Sequence, residues 1–170
     1  MCSKWYAIFL LFSMVLGSQA QAISAYGQFS SIVTQIPSAS GASFVKMDSV
    51  DNLQNLEIAS SKDKIIIKEE GTYFIIATGQ IGGISAGAKG YIDIWFVKND
   101  VPIPNSNNRM TITDYRTVGV LTTQFIIKLS PNDTIATRYF ASAPSIGFVF
   151  SQPDREPIVS SFLLSIFKVD

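Results

Sequence analysis

The segment 72–81, Thr-Tyr-Phe-Ile-Ile-Ala-Thr-Gly-Gln-Ile, constrains the fold more than any other stretch of the chain. It is rich in β-branched and aromatic residues, as strands are. Alternation along a strand sets Thr72, Phe74, Ile76 and Thr78 on one side and Tyr73, Ile75, Ala77 and Gly79 on the other. Both sides carry large apolar groups, so neither is a natural solvent face. In a two-layer sandwich only one side of each sheet meets the other sheet. The second side needs further cover, and in a chain of 170 residues the expected cover is another copy of the chain.

Just upstream, residues 64–68 (Lys-Ile-Ile-Ile-Lys) and the Glu69-Glu70-Gly71 turn suggest a hairpin. Gly71 would supply the positive φ of a tight turn. The last segment, 157–169, is also apolar on both sides, with Phe162, Leu164 and Ile166 opposed to Val159, Leu163 and Phe167. It is expected to lie near 72–81 in one doubly covered sheet.

The N-terminus reads differently. Lys4 precedes the apolar run 7–16, and Ala20-Gln21-Ala22 follows as a small-x-small cleavage pattern. The run is well short of the ~20 residues that span a bilayer. Residues 1–22 are therefore expected to be a secretory signal peptide, leaving 23–170 as one domain with no stable membrane insertion after cleavage. The only cysteine, Cys2, would leave with the leader, so the domain is disulfide-free and rests on packing and assembly. The expected location is secreted or cell-surface.

Between these ends, short β-like runs recur with turn residues between them and no helical period. They fall at 26–35, 44–47, 53–59, 64–68, 72–81, 91–98, 110–113, 119–129, 134–140, 146–150 and 157–169. About ten strands at this spacing predict an all-β sandwich or barrel. In 119–129, Leu121, Phe125, Ile127 and Leu129 face one way while Thr122, Gln124 and Lys128 form a wet face. Hydrophobic residues make up 47% and charged ones 15%, which places some apolar surplus at contacts between subunits. Thirteen basic and thirteen acidic side chains, with no basic patch, argue against nucleic-acid binding.

Several stretches together are similar to one family. Gly71-Thr72-Tyr73-Phe74-Ile75 resembles the Gly-x-Tyr-x-Phe/Ile strand of the complement C1q globular-head and tumour necrosis factor-like jelly rolls. The run 92–100, ending Phe-Val-Lys-Asn-Asp, resembles that family's strand and its Lys-Asn-Asn or Lys-Asn-Gly turn, and 101–106 the loop that follows in bacterial members. Leu129 with Asp133-Thr134-Ile135 is similar to the Leu-x-x-Gly-Asp-x-Ile/Val signature, and Ser160-Ser161-Phe162 to the start of the last strand. Asn132 stands where the family usually has Gly, and Asn tolerates the left-handed conformation. The resemblance implies a ten-stranded jelly-roll β-sandwich that forms tight homotrimers through its inner sheet. By position it implies Phe74, Ile76, Phe162, Leu164 and Ile166 at the trimer interface and Tyr73 and Ile75 in the core. Trp95 and Phe125 are assigned to the core as well.

Catalytic chemistry finds little to work with. The chain has no histidine and, beyond Cys2, no cysteine, so imidazole bases, thiol nucleophiles and most zinc sites are excluded. Glu69 and Glu70 read as a solvated turn. Asp48, Asp51 and Glu57 could gather calcium through oxygen ligands but match no calcium-loop pattern, so no cofactor is assigned. Asp93 shares a strand face with Tyr91 and Trp95 and, if buried, needs a partner among Lys89, Arg109, Arg116 and Arg138. The loops 82–90, 102–109 and 141–145 are where recognition would sit. The expected function is a self-trimerising binding or structural module for extracellular recognition or adhesion, with an extracellular protein or glycan as its partner. A receptor-binding signalling ligand is the alternative, and a carbohydrate-active enzyme ranks last.

Overall fold

The computed structural model describes residues 23–38 and 41–170; the expected signal peptide lies outside the described residues. Thirteen strands and no helix occur among them. In chain order they are β1 (Tyr26–Ser31), β2 (Ser43–Phe44), β3 (Ser49–Gln54), β4 (Leu56–Ile58), β5 (Ile65–Ile67) and β6 (Gly71–Gly83). Next come β7 (Gly90–Lys98), β8 (Val101–Pro102), β9 (Asn108–Ile112) and β10 (Val118–Leu129). The chain finishes with β11 (Thr134–Ala141), β12 (Ile146–Phe148) and β13 (Phe162–Lys168).

The strands form two antiparallel sheets facing each other across one core. The first runs β10-β6-β13-β1-β3, with β12 also on β6; the second runs β4-β5-β11-β7-β8, with β2 on β11 and β9 on β7. The 72–81 segment lies inside β6, which has β10 along one edge for its whole length. Its other edge is shared end to end, β13 pairing residues 73–79 and β12 pairing 81–83.

The expected hairpin at 64–82 does not form. β5 belongs to the second sheet and β6 to the first, so Glu69 and Glu70 lie where the chain crosses between layers. Ile65 and Ile67 are fully buried, and β5 pairs with β4 and β11 instead. Gly71 does not have a positive φ. It lies under the Lys168 side chain, and a Cβ there would come within 2.3 Å of its end and displace it. Asn99 and Asp100, by contrast, both take positive φ (50° and 66°), as a two-residue turn between β7 and β8 demands. Asn132 is left-handed at 71°.

The core is built from the inward residues of both sheets. Tyr73, Ile75 and Ala77 of β6, Phe29 of β1, and Phe162, Leu164 and Ile166 of β13 come from the first sheet. Ile92, Ile94 and Phe96 of β7 and Ile135 and Tyr139 of β11 come from the second. Each such large side chain contributes roughly 1.5–3 kcal/mol on burial. Phe148 ties the layers together, with ring centroids 4.8 Å from Tyr139 and 5.4 Å from Phe162. Gly79 makes room for it, since a Cβ there would sit 2.2 Å from the Phe148 ring.

One interface assignment is therefore corrected. β13 pairs Leu164 with Ala77 and Ile166 with Ile75, so Phe162, Leu164 and Ile166 share the inward face and are at most 1% exposed. The outward residues of β13 are Leu163, Ser165 and Phe167.

Candidate functional site

Sandwich formation leaves two outer faces, and they differ in chemistry. On the first sheet the register aligns rows of side chains across the strands. Ile126, Phe74, Phe167 and Tyr26 form one row, with the Phe74 and Phe167 rings edge to face at 5.3 Å. The next row, Gln124, Ile76, Ser165 and Gln28, is mostly polar. A third row holds Thr122, Thr78 and Leu163, where the two threonine hydroxyls are 3.2 Å apart. Beyond these, Val118 and Val120 project from β10, the latter 68% exposed. Lys128 is the only outward charge on β1, β6, β10 and β13, and the edge strand β3 adds Asp51, held by the Ser30 and Ser49 hydroxyls, so the middle of the face has almost no electrostatic character.

The outer face of the second sheet is charged and aromatic. Asp93 on β7 is only 7% exposed. Of the partners the sequence left open, Arg109 on β9 takes it: Arg109 Nε donates to Oδ1 at 2.7 Å and Nη2 to Oδ2 at 2.8 Å. The register explains the choice, since Asp93 and Arg109 stand directly opposite. The Arg109 guanidinium also stacks on Tyr91 at 3.7 Å from the ring centroid. Its hydrogen bonds to Asp93 hold the Arg109 guanidinium's pKa above the ordinary arginine value.

Next to this pair, Arg138 on β11 stands opposite both Phe44 and Trp95. Its guanidinium carbon lies 5.1 Å from the Phe44 ring and 5.8 Å from the Trp95 ring, and Nη2 donates to the Ala42 carbonyl at 2.8 Å. Arg138 makes no ion pair among the described residues, and its buried Nε has no acceptor. Trp95 is half-buried on this outer face and does not enter the inter-sheet core to which the sequence assigned it. Phe125 is partly buried and packs against the core, as does Ile127 two residues further along β10.

A groove of about 430 Å³ opens here, lined by Ala42, Asp93, Trp95, Pro102, Ile103, Asn107 and Phe140. Phe140 is shared with a second hollow of about 280 Å³, walled by Pro37, Ser38 and residues 141–144. Two of the three loops singled out in the sequence, 102–109 and 141–145, thus meet at Phe140. The 82–90 loop takes no part in either groove.

The acidic residues do not gather. Asp48 accepts from the Ser31 hydroxyl (2.7 Å) and Asp51 from the Ser49 hydroxyl (2.8 Å), while Glu57 pairs with Lys68. Among the described residues no group of three His, Cys, Asp or Glu could hold a metal ion. Glu69 is not free in solvent: Lys168 and Ser24 donate to it at 2.6 and 2.8 Å, and these bonds, Lys168 first, pull its pKa below the ordinary carboxylate value.

Asn107, Phe140 and Ile126 are surface residues that the sequence analysis did not single out; Arg138 was named there only as a possible partner of Asp93, and Leu163 and Phe167 only as the other side of the last segment. By alternation Val120 and Ile126 fall on the same side of 119–129 as Thr122, Gln124 and Lys128. For the others the signal was cross-strand register, which one sequence does not display.

Together these features define a β-sandwich, without a helix among the described residues, that has one outer face poor in charge and one that is grooved, charged and aromatic. No known family's sequence profile matches the chain, and no curated protein is similar to it in sequence.

Proposed function

We propose that this chain is an exported, self-trimerising jelly-roll module of the C1q and tumour necrosis factor type that works by extracellular recognition or adhesion rather than catalysis. The observation that carries the reading is the outer face of the first sheet. Phe74, Ile76, Val120, Ile126, Leu163 and Phe167 lie there with no further layer of described residues over them. A surface so poor in charge is cheap to desolvate, which suits a core-like contact between copies.

Strand order supports the jelly-roll part. Successive long strands alternate between layers: β6 in the first sheet, β7 in the second, β10 in the first, β11 in the second and β13 in the first. That alternation is the wrapping a jelly roll requires. The apolar run and cleavage pattern in 1–22 support export. Trimerisation would present three copies of the groove on the opposite sheet, and multivalent contact raises avidity without new contacts.

The test is the native mass of the purified protein by light scattering. The reading expects a trimer that Phe74→Asp converts to monomer. A monomer at high concentration, or an assembly whose mass Phe74→Asp leaves unchanged, would remove the interface from the reading.

A further inference from the structure

The groove on the second sheet contains more organised chemistry than packing requires. Asp93 is a nearly buried carboxylate locked in position by a two-point bond to Arg109, itself stacked on Tyr91. A carboxylate so oriented keeps further lone pairs for an incoming hydroxyl. Trp95 forms part of the lining with a ring half open to solvent, and Asn107 lines the same groove with an exposed amide. Neither the Trp95 indole N–H nor the Asn107 amide hydrogen-bonds to any described protein group.

Charge adds a direction. Arg109 is neutralised by Asp93, whereas Arg138, beside Trp95 and bonded to the Ala42 carbonyl, has no carboxylate partner among the described residues. Arg138 is not itself part of the lining, but through Trp95 and Ala42, which are, it places one uncompensated positive charge at the groove's border.

We infer that this groove binds a saccharide carrying a carboxylate: the apolar face of a pyranose ring lies on Trp95, hydroxyls bond to Asp93 and Asn107, and the acid group is drawn by the uncompensated charge of Arg138. A flat aromatic beside fixed, planar polar groups matches the two chemistries of a sugar ring, whose faces are apolar and whose rim is hydroxylated. A purely apolar ligand would leave Asp93 and Asn107 facing it unpaired, at a cost. The inference deepens the proposed recognition function and rests on the chain being a binding module. It does not depend on the assembly.

Isothermal titration calorimetry of the full chain with tetragalacturonate tests it. Its methyl ester serves as the neutral isostere, and sodium acetate at matched ionic strength as the bare anion. Saturable binding of the acid is expected, with the ester about tenfold weaker because a charge-assisted contact is lost. Asn107→Ala, an exposed change that does not threaten folding, should weaken binding about fivefold. Trp95→Ala should abolish it. No saturable heat up to about 10 mM, the limit of useful affinity, would overturn the inference. So would equal binding of acid and ester, binding of acetate alone at equal strength, or undiminished binding by Asn107→Ala and Trp95→Ala. Light scattering on the same samples separates the two proposals. A monomer that binds the acid sinks the assembly and keeps the groove, and a trimer that ignores it does the reverse.

Discussion

The two outer faces of this sandwich are built from the same kind of strand and end with opposite chemistry. Outward positions on β1, β6, β10 and β13 carry one charge, Lys128, among aromatic, aliphatic and small polar groups. Outward positions on β7, β9 and β11 carry Asp93, Arg109 and Arg138 interleaved with Tyr91, Trp95 and Phe140. Desolvation is the reason the difference matters. Burying an ion costs several kcal/mol unless it is fully paired, so the first face suits permanent cover and the second suits a ligand that exchanges with water.

The sharpest way to break this comparison is to alter residues on the two sides of one sheet. Leu164→Ala empties a fully buried site on the inward side of β13. It should cost about 2–5 kcal/mol of folding stability in a denaturant titration. If Leu164 instead lay on the outer face, stability would barely move. Ile126→Asp acts on the outward side of the same sheet, at a residue 63% exposed in the single chain. It should leave monomer stability within about 0.5 kcal/mol, as surface changes do. The proposed self-association, however, should weaken by about 3 kcal/mol or more, because an unpaired charge would be buried between copies. Analytical ultracentrifugation over a concentration series reads the second effect.

Alkaline titration probes what the two layers share. Tyr73 from the first sheet and Tyr139 from the second both point into the core, and burial pushes each phenol up from 10.0 to about 12. A raised phenol favours the folded, protonated form. Its contribution is complete below the unfolded value near pH 10 and is lost as pH rises toward 12. Tyr73→Phe should therefore show a shallower loss of stability between those limits than the parent protein, followed by circular dichroism.

The smallest expected effect lies at the β10–β11 turn. Burial pushes the Asp133 carboxyl up, but Lys98 at 2.7 Å, the Ser130 N–H at 2.8 Å and Asn99 at 2.7 Å outweigh it and hold it below 3.8. A depressed carboxyl contributes stability above its unfolded value, and that contribution is lost as pH falls through the lower folded value. The difference between the parent protein and Asp133→Asn should thus shrink below pH 3.8. A difference that grew in acid would reverse the sign of this assignment.

Much of the fold was legible because strand signals are local. Nearly every run of β-branched and aromatic residues became a strand, and the turns at Asn99-Asp100 and Asn132 formed where turn chemistry required them. β8 was missed because two residues after a turn carry no pattern of their own. The site was half legible. Asp93 was recognised as a carboxylate in need of a partner, but four cations competed for it, and only the pairing of β7 with β9 chose Arg109.

The sequence by itself determined the all-β class, the positions of most strands, and the fact that 72–81 and 157–169 are apolar on both sides, because alternation and turn propensity act over a few residues. Tertiary structure alone decided which side of each strand faces inward, that Lys64–Lys68 and Thr72–Ile81 join different sheets, and that Trp95 borders a groove instead of filling the core. Those outcomes depend on register between strands far apart in the chain, where a shift of one residue exchanges the two faces and leaves the local pattern unchanged.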